Sequence, residues 1–419
     1  MNGRAASRDH GNSGADAIVV GAGPAGAVTA LLLARAGHDV LILERATLPR
    51  PKPCGDCLSA GAAAVLHRLG LLAQVAALPH ARLRGWRIAA PAGAVFAADV
   101  ADPPGYAMTV ERALLDEALA RSAVTAGARL REGVRVTDVL HGPDGAITGV
   151  RTDGGDFHSR LVVGADGLRS VVARRLRAVR RRAKLRKVSF TFHVDRPLHE
   201  DAVGEMHVGD GVCLGIAPVV MDGSRFNLTV VADSRRFGRQ AAADPAAFAV
   251  AAAAALPASR RSLSPAGLGL ALASGPFDQP VRQVTFDGAA LAGDAAGYYD
   301  PFTGQGVTHA LLSAELLART ADGALRRRDC SAAALQPYDR ALRSALRAPR
   351  LLQRTVEAVL SRPAVADRAV ARLARAHRTA DALIAVIGMT APATSLLTPS
   401  VFSDLFGSLL SGRLHDHQG

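Results

Sequence analysis

The glycine-rich turn GAGPAG at residues 21–26 constrains the fold of this chain more than any other feature. An apolar run at residues 16–20 precedes the turn and predicts a buried β-strand, and residues 24–36 predict a helix. A second apolar run at residues 40–43 completes a β-α-β unit. This order predicts a parallel sheet that binds a ligand at the N-terminus of its first helix.

Each glycine of this turn has its own expected role. Gly21 and Gly23 allow a sharp turn and a close approach of the backbone to a pyrophosphate, and Gly26 allows the helix to pack against the strand. Glu44 follows about twenty residues later, where its carboxylate can accept a hydrogen bond from a ribose hydroxyl. The turn therefore predicts a dinucleotide site. The chain has no second motif of this kind, so a separate nicotinamide-binding domain is not expected.

A second glycine-rich segment, GDAAGYYDPFTGQGVTHAL at residues 293–311, favours FAD among the dinucleotides. Asp294 follows a short apolar strand, where its carboxylate can accept hydrogen bonds from the ribityl hydroxyls. Pro301 and Gly304 predict a turn into a helix that starts near Gly306, and its backbone amides can face the flavin pyrimidine edge. The alternative is a plain strand-turn-helix in which Asp294 is only an N-cap.

These motifs predict an α/β protein built from discontinuous segments. Its expected parts are a Rossmann-like FAD-binding domain, an antiparallel-sheet substrate domain and a helical C-terminal region. The predicted boundaries are a flexible tail at 1–14, the FAD-binding domain at 15–83, 109–180 and 282–322, the substrate domain at 84–108 and 181–281, and the C-terminal region at 323–419.

Two local predictions concern the junction of these domains. Thr109 is predicted to cap a helix whose apolar residues include Val110, Leu114 and Leu115. Residues 187–194 alternate between apolar and polar side chains, which predicts a strand buried on one face only. Strand parity alone does not assign the direction of His193, on the polar face of that strand.

Composition limits the partners of the chain. The 50 Lys+Arg and 37 Asp+Glu residues give a formal charge of +13, which favours an anionic or carrier-bound substrate, a nicotinamide phosphate or peripheral contact with an acidic membrane. Aromatic residues make up only 4%, so no nucleic acid partner is expected. Four cysteines indicate a reducing compartment, and the apolar stretch at 246–256 is too short to cross a bilayer. A cytoplasmic protein is expected.

Cys54 and Cys57 form a CxxC pair. Structural zinc needs four ligands and the chain has no second pair, so no metal site is expected. A redox-active dithiol remains an open interpretation, because this spacing can lower a thiol pKa.

Three segments resemble the fingerprints of the group A flavoprotein monooxygenase and geranylgeranyl reductase superfamily: GAGPAG with Glu44, GADGLRS at 164–170, and GDAAGYYDPFTGQG at 293–306. The segment KPCGD at 52–56 resembles the geranylgeranyl reductase branch most closely. This resemblance implies an FAD-dependent oxidoreductase in which Cys54 lies beside the flavin as a candidate catalytic residue. The FAD-binding residues that the motifs and the resemblance together indicate are Gly21, Gly23, Ala25, Gly26, Glu44, Arg45, Cys54, Gly55, Arg112, Val136, Asp166, Gly293, Asp294, Pro301, Gly304, Gly306 and Val307.

Three residues bear on the type of chemistry. Gly297 stands where hydroxylases of the superfamily usually have histidine, and this favours a reductase. Gln305 stands where the reductase branch more often has Glu or Gly, and this favours a hydroxylase. A halogenase is not expected, because Trp86 is the only tryptophan and the WxWxIP motif of that branch is absent.

The expected reaction is reduction of carbon–carbon double bonds in a hydrophobic prenyl or polyketide-like molecule, with hydride from FAD and NADPH or NADH as a transient electron donor. The alternative is a monooxygenase that hydroxylates an aromatic or polyketide substrate. A third interpretation is an FAD-bound assembly module without catalysis, which the two intact flavin motifs disfavour.

Overall fold

The computed structural model of the chain describes residues 14–100, 106–180, 185–198, 201–259, 263–401 and 403–404. Apart from Gly14, the tail predicted for residues 1–14 lies outside these described residues.

Strands and helices are numbered in chain order. The strands are β1 (Ala15–Val20), β2 (Val40–Leu43), β3 (Cys57–Leu58), β4 (Ala81–Leu83), β5 (Gly85–Ala89), β6 (Val95–Asp99), β7 (Ala107–Thr109), β8 (Arg129–Arg131), β9 (Val136–His141), β10 (Ile147–Thr152), β11 (Gly155–Gly164), β12 (Lys187–Val194), β13 (Val203–Val208), β14 (Val212–Pro218), β15 (Phe226–Asp233), β16 (Leu272–Ser274), β17 (Thr285–Phe286) and β18 (Ala289–Leu291). The α-helices are α1 (Pro24–Arg35), α2 (Ala60–Arg68), α3 (Leu72–Ala76), α4 (Arg112–Thr125), α5 (Val171–Arg175), α6 (Gly238–Ala243), α7 (Pro245–Ala255), α8 (Gly306–Arg326), α9 (Ala332–Leu360), α10 (Pro363–Leu373) and α11 (His377–Ile387). Short 3-10 helices span Pro265–Gly267, Gly293–Ala296 and Ala393–Leu396.

The first sheet is a Rossmann-like sheet with the strand order β17-β18-β11-β1-β2-β8. Its strands from β18 to β8 run parallel, and the apolar side chains of β1 and β2 are buried because both faces of the sheet are covered. The long strand β11 pairs antiparallel with β10 through its first half and parallel with β1 through its second half. This arrangement confirms the α/β fold class and puts the glycine-rich turn at the carboxyl end of β1.

The second sheet has the order β16-β12-β15-β14-β13-β5-β6, and its neighbours are antiparallel except for the parallel pair β13 and β5. One face packs on α6 and α7. The prediction that β12 is buried on one face only is wrong, because Ser189 and Thr191 on its polar face are also buried. The loop that follows β2 covers this polar face, and its Asp56 contacts His193, the last polar residue of the face.

The predicted cap at Thr109 is also wrong. Thr109 ends β7, and its hydroxyl donates to the carbonyl oxygen of Pro218. Helix α4 begins at Arg112, where the backbone N–H donates to the Asp56 carboxylate at 3.1 Å. A side chain from a distant loop therefore satisfies the helix end that a local hydroxyl was expected to cap.

The C-terminal helices pack on both sheets. Helix α9 lies against α8, while α10 and α11 share a small apolar core with β5 and β6 that includes Ile88, Phe96, Val370 and Ile384. Within the described residues, no helix combines the length and apolar character needed to cross a membrane.

Helix α1 approaches the preceding turn so closely that only glycine fits at its third position. A Cβ on Gly26 would lie 1.9 Å from the carbonyl oxygen of Gly21. We expect Gly26→Ala to push the helix away and to lower the free energy of unfolding by about 2–3 kcal/mol, measured by urea denaturation. The control Gly154→Ala adds a methyl group whose nearest neighbour is 3.9 Å away. If the two variants proved equally stable, the close contact would not constrain the fold.

Candidate flavin site

The turn after β1 is shaped by its backbone. Gly21 has a φ of +99°, and a Cβ there would lie 2.6 Å from the carbonyl oxygen of Ala165. Gly23 has no such restriction, because a Cβ there would lie 3.9 Å from Arg50 and 4.0 Å from Asp116 at the nearest. The space beside Gly23 is open toward charged side chains, as a pyrophosphate-binding turn requires.

All three glycine-containing motifs meet at this turn. The Cα of Asp166 would lie 3.1 Å from a Cβ on Gly21, and a Cβ on Gly293 would lie 2.7 Å from the Cβ of Ala25. The Asp166 carboxylate accepts a hydrogen bond from the Ser170 hydroxyl at 2.5 Å and supports the start of α5. The backbone of Asp166 therefore lies against the turn, while its carboxylate accepts hydrogen bonds from residues of the protein itself.

Glu44 follows β2 and is only 3% exposed. Its carboxylate accepts hydrogen bonds from the backbone N–H groups of Ala22 at 2.9 Å and Ala46 at 3.1 Å, and Arg50 lies 3.3 Å away. Burial acts to raise the pKa of Glu44, but Arg50 and the two backbone donors lower it overall. Glu44 is therefore ionised at neutral pH beside the turn, where a ribose hydroxyl is expected.

Two further predicted contacts flank Glu44. The side chain of Arg45 is exposed on the loop after β2. Val136 is buried at the start of β9, and the backbone N–H of Val134 donates to the Glu44 carbonyl oxygen at 2.9 Å. The fold thus brings Val136 to the end of the first sheet where Glu44 lies, while the Arg45 side chain faces solvent.

Asp116 is the centre of a buried charge cluster beside Gly23. This carboxylate is 0% exposed and accepts two hydrogen bonds from Arg112, at 2.9 and 3.0 Å, and one from Arg50 at 3.1 Å. Burial and the nearby Arg112 lower the pKa of Lys52, which lies within reach of the same charges. Arg50, Lys52 and Arg112 give this region the cationic groups that an anionic pyrophosphate needs.

Asp294 lies in the 3-10 helix directly after β18. Its carboxylate has no hydrogen-bond partner among the described residues, and it caps neither this helix nor α8, whose N-cap is Gln305. Burial raises the pKa of Asp294, although Lys52 and Arg112 act in the opposite direction. The side chain is therefore no simple cap, and its free oxygen atoms suit the hydroxyl groups of a ligand.

The turn before α8 is open on one side. Gly304 has a φ of +64°, a Cβ there would meet nothing within 4 Å, and its N–H donates to the Pro301 carbonyl oxygen at 3.0 Å. Helix α8 begins at Gly306 without a side-chain cap, and Val307 is buried behind it. The first backbone amides of α8 are thus available to a ligand, as the sequence predicts.

An ion-pair network fixes this turn from the opposite side. Lys187 of β12 pairs with Asp300 at 3.2 Å and with Glu357 of α9. The Asp300 carboxylate also accepts from the backbone N–H of Phe302 at 2.8 Å. Burial acts to lower the pKa of Lys187, but the two carboxylates raise it. The flavin turn is therefore held between the second sheet and a C-terminal helix.

The KPCGD loop is tied to the second sheet through Asp56. This residue has a φ of +57°, and its carboxylate lies 2.6 Å from His193 Nε2 and accepts from Asn227 Nδ2 at 2.7 Å. Asn227 also donates to the Cys54 carbonyl oxygen at 2.8 Å. His193 therefore points toward the loop, which strand parity did not decide.

Cys54 and Cys57 are free thiols in the structure. Burial raises the pKa of Cys54 even though Arg112 acts against it, and burial also raises the pKa of Cys57. The Cys57 thiol donates to the Gly55 carbonyl oxygen at 3.1 Å, and a Cβ on Gly55 would meet nothing within 4 Å. Both thiols are protonated at neutral pH, whereas an activated dithiol needs a lowered thiol pKa.

An apolar pocket with a cavity volume of about 70 Å³ opens beside the flavin turn. Its walls come from β3 with the start of α2, from β5 and β13, from the flavin turn, and from the end of α11. Representative lining residues are Cys57, Trp86, Met206, Thr303, Ile384 and Ile387. The apolar lining is typical of a site for a hydrophobic small molecule.

Asp116 and the α11 wall of the pocket were not predicted from the sequence. The pairing of Arg112 with Asp116 has a local signal, because the two residues are four apart on one predicted helix. The α11 wall has no such signal, since nothing in its sequence relates it to β5. Together the open turn at Gly23, the free carboxylate of Asp294 and the uncapped start of α8 fit FAD.

Breaking the charge cluster should destabilise the protein even without FAD. We expect Asp116→Asn to lower the free energy of unfolding by about 3 kcal/mol, because two buried arginines lose their shared carboxylate. Urea denaturation of FAD-free protein measures this loss. The control Glu117→Gln removes a carboxylate that is 30% exposed and should cost less than about 0.5 kcal/mol. If Asp116→Asn lowered the free energy of unfolding no more than Glu117→Gln does, the charge cluster would not contribute to the stability of the fold.

Comparisons with known proteins agree with this geometry. The family described as "FAD binding domain" matches residues 14–355. Menaquinone reductase of Mycobacterium tuberculosis strain H37Rv is 41% identical over 165 residues, which cover 39% of this chain and only 40% of that enzyme. Digeranylgeranylglycerophospholipid reductase 2 of Methanopyrus kandleri is 30% identical over 340 residues, which cover 77% of this chain and 81% of that enzyme.

Solved structures share the fold. The flavin-dependent brominase Bmp2 superposes with a TM-score of 0.76 at 18% identity, over 96% of this chain and 100% of the brominase. Taken with the family match, the fold and the flavin site show that the chain belongs to the FAD-binding domain family, in its geranylgeranyl reductase-like branch.

Proposed function

We propose that this protein is an FAD-dependent oxidoreductase that reduces carbon–carbon double bonds in a hydrophobic small molecule with prenyl or polyketide-like character. The observation that carries the proposal is the apolar pocket, because its wall includes Phe302, Thr303 and Gly304 of the flavin turn. A molecule in this pocket would lie next to the flavin. The names of the two relatives, reductases of menaquinone and of digeranylgeranylglycerophospholipid, support a lipid-like substrate.

The residues of the chain divide the work of such a reaction. When bound and reduced, FAD supplies a hydride to carbon. The second carbon needs a proton, and the pocket wall carries proton-bearing groups on Cys57, Ser59 and Thr303. Because burial raises the pKa of Cys57, its thiol keeps its proton until a stronger base forms. The apolar walls exclude water and so favour transfer to the substrate.

Cys54 has a different proposed role from Cys57. It is absent from the pocket lining, and its carbonyl oxygen is held by Asn227. The Cys54 thiol lies close to Arg112 of the charge cluster, which supports a position on the flavin side of the loop. Cys54 therefore sets the surroundings of the flavin, whereas Cys57 faces the substrate.

The source of electrons and the surroundings of the substrate also belong to this proposal. NADPH or NADH would reduce FAD by transient contact, since the chain has one dinucleotide motif. The formal charge of +13 favours an anionic or carrier-bound substrate, or a substrate taken up at an acidic membrane surface by a cytoplasmic protein.

A monooxygenase acting on an aromatic or polyketide substrate is the second candidate, which Gln305 favours by its residue type. In the structure, however, the Gln305 side chain donates a hydrogen bond to the carbonyl oxygen of Ile387 in α11. This contact weakens the argument from position 305, and the reductase therefore remains the first candidate.

Removing the free carboxylate of Asp294 should weaken FAD binding. We expect Asp294→Ala to raise the dissociation constant of FAD by about tenfold to a hundredfold, which corresponds to losing about 1–3 kcal/mol of charge-assisted hydrogen bonding. Titration of FAD-free protein with FAD, followed by flavin fluorescence, measures the change. The surface variant Asp144→Asn is the control. Unchanged affinity in a folded Asp294→Ala protein would remove this residue from the site.

Reaction without oxygen separates the two candidate functions. We expect enzyme reduced with dithionite, freed of excess reductant and held anaerobically, to regain the visible absorbance of oxidised FAD when a polyprenyl substrate is added. Mass spectrometry should show a product that has gained two hydrogens, because a reductase passes both electrons to carbon. Incorporation of labelled dioxygen, with no anaerobic turnover of any tested substrate, would instead establish the monooxygenase.

A further inference from the structure

A partly buried chain of hydrogen bonds connects the flavin turn with the C-terminal helices. Gln305 is 1% exposed, and its Nε2 donates to the carbonyl oxygen of Ile387 at 2.7 Å. The Thr303 hydroxyl donates to Gln305 Oε1 at 3.2 Å, and Gln353 Nε2 of α9 donates to that hydroxyl at 3.0 Å. Because Ile387 is the last residue of α11, its carbonyl has no partner within the helix. Gln305 therefore caps the C-terminus of α11.

The same helix end has a second fixed contact. The backbone N–H of Gly61 in α2 donates to the Gly388 carbonyl oxygen at 3.0 Å. A Cβ on Gly61 would lie only 2.4 Å from that oxygen, so α2 and the end of α11 touch through their backbones. One side chain from the flavin turn and one backbone group from α2 thus locate this helix end.

The end of α11 is also a wall of the apolar pocket. Ile384, Ile387 and Gly388 line the pocket together with Trp86 and Met206 from the second sheet. These side chains belong to the small apolar core that joins α11 to β5 and β6. A shift of this helix end would change the width of the pocket and the exposure of Trp86.

We propose that Gln305 is a positioning residue for substrate selection, which sets the distance between the flavin turn and the α11 wall of the pocket. The residue type at position 305 then acts through the shape of the pocket, and not through the reaction of the flavin with oxygen. The proposal rests on the proposed function in taking this pocket as the substrate site. The position of the wall can be tested without any turnover.

The chemistry of the contact explains why an amide is needed. A carbonyl oxygen accepts hydrogen bonds only, so its partner must be a donor. Methionine has a similar length but no donor, and it would leave the Ile387 carbonyl without this partner. A glutamate can donate only while it is protonated, and its ionised form would repel the same oxygen.

Trp86 makes the wall measurable, because it is the only tryptophan in the chain and it lines the pocket. We expect Gln305→Met to keep its FAD and to raise the acrylamide quenching constant of Trp86 fluorescence by about twofold or more, as the helix end loosens. The ratio of dissociation constants for geraniol and geranylgeraniol, read from the same fluorescence, should change by about threefold or more. The matched control is Gln283→Met, whose amide donates to the Thr285 carbonyl oxygen outside the pocket.

A second variant adds a signature that a merely structural defect would not give. In Gln305→Glu, quenching of Trp86 should match the wild type at acidic pH, where the carboxyl group is protonated and can donate, and should rise as it ionises. The wild type should show no such profile. If Gln305→Met does not fold, Gly61→Ala tests the same wall, because its methyl group pushes against Gly388.

The outcomes separate this proposal from the proposed function. Wild-type quenching in FAD-bound Gln305→Met, or a Gln305→Glu protein without the pH profile, would overturn the positioning role. An unchanged geraniol to geranylgeraniol ratio despite increased quenching would overturn the role in selection. Failure of anaerobic substrate reduction, with the quenching results as expected, would refute the reductase and leave the positioning role intact.

Discussion

The structure depends on backbone contacts that exclude side chains where three distant segments meet. The turn after β1 contacts Ala165 closely at Gly21. Helix α1 contacts the same turn closely at Gly26, and Gly293 lies against Ala25. These contacts bring residues from three fingerprints, separated by more than a hundred positions each, to one point of the sheet. The space beside Gly23 stays open because none of these positions carries a bulky side chain, and longer charged side chains surround that space.

Two carboxylates at this point are paired within the protein before any ligand binds. Asp116 is shared by two arginines, and Glu44 is held by backbone amides and Arg50. Buried charges are costly unless they are paired, and this pairing keeps the arginines in place. An anionic ligand at this turn would therefore meet side chains that are already oriented, which would reduce the entropy lost on binding.

The parts of the fold and site that could be predicted are those that local backbone chemistry determines. The glycines of the first turn, Glu44 after β2 and the turn before α8 have signals within a few residues, and the structure brings Glu44 and Gly293 to the first turn. Thr109 shows the limit of such signals, because a good capping residue lost that role to Asp56, which arrives from another loop. The polar face of β12 was also expected to be exposed to solvent, because nothing in the sequence of β12 indicates that the loop carrying Asp56 covers it.

The Gln305 contact has a consequence for how enzymes with this architecture diversify. The predicted FAD-binding residues all precede the end of α8, while one wall of the pocket comes from α11, more than fifty residues later. Sequence changes in α11 can therefore reshape the apolar pocket without altering a predicted FAD-binding residue. A nascent chain that has emerged only as far as α8 likewise contains every predicted FAD-binding residue, but the apolar pocket is completed only when α11 docks.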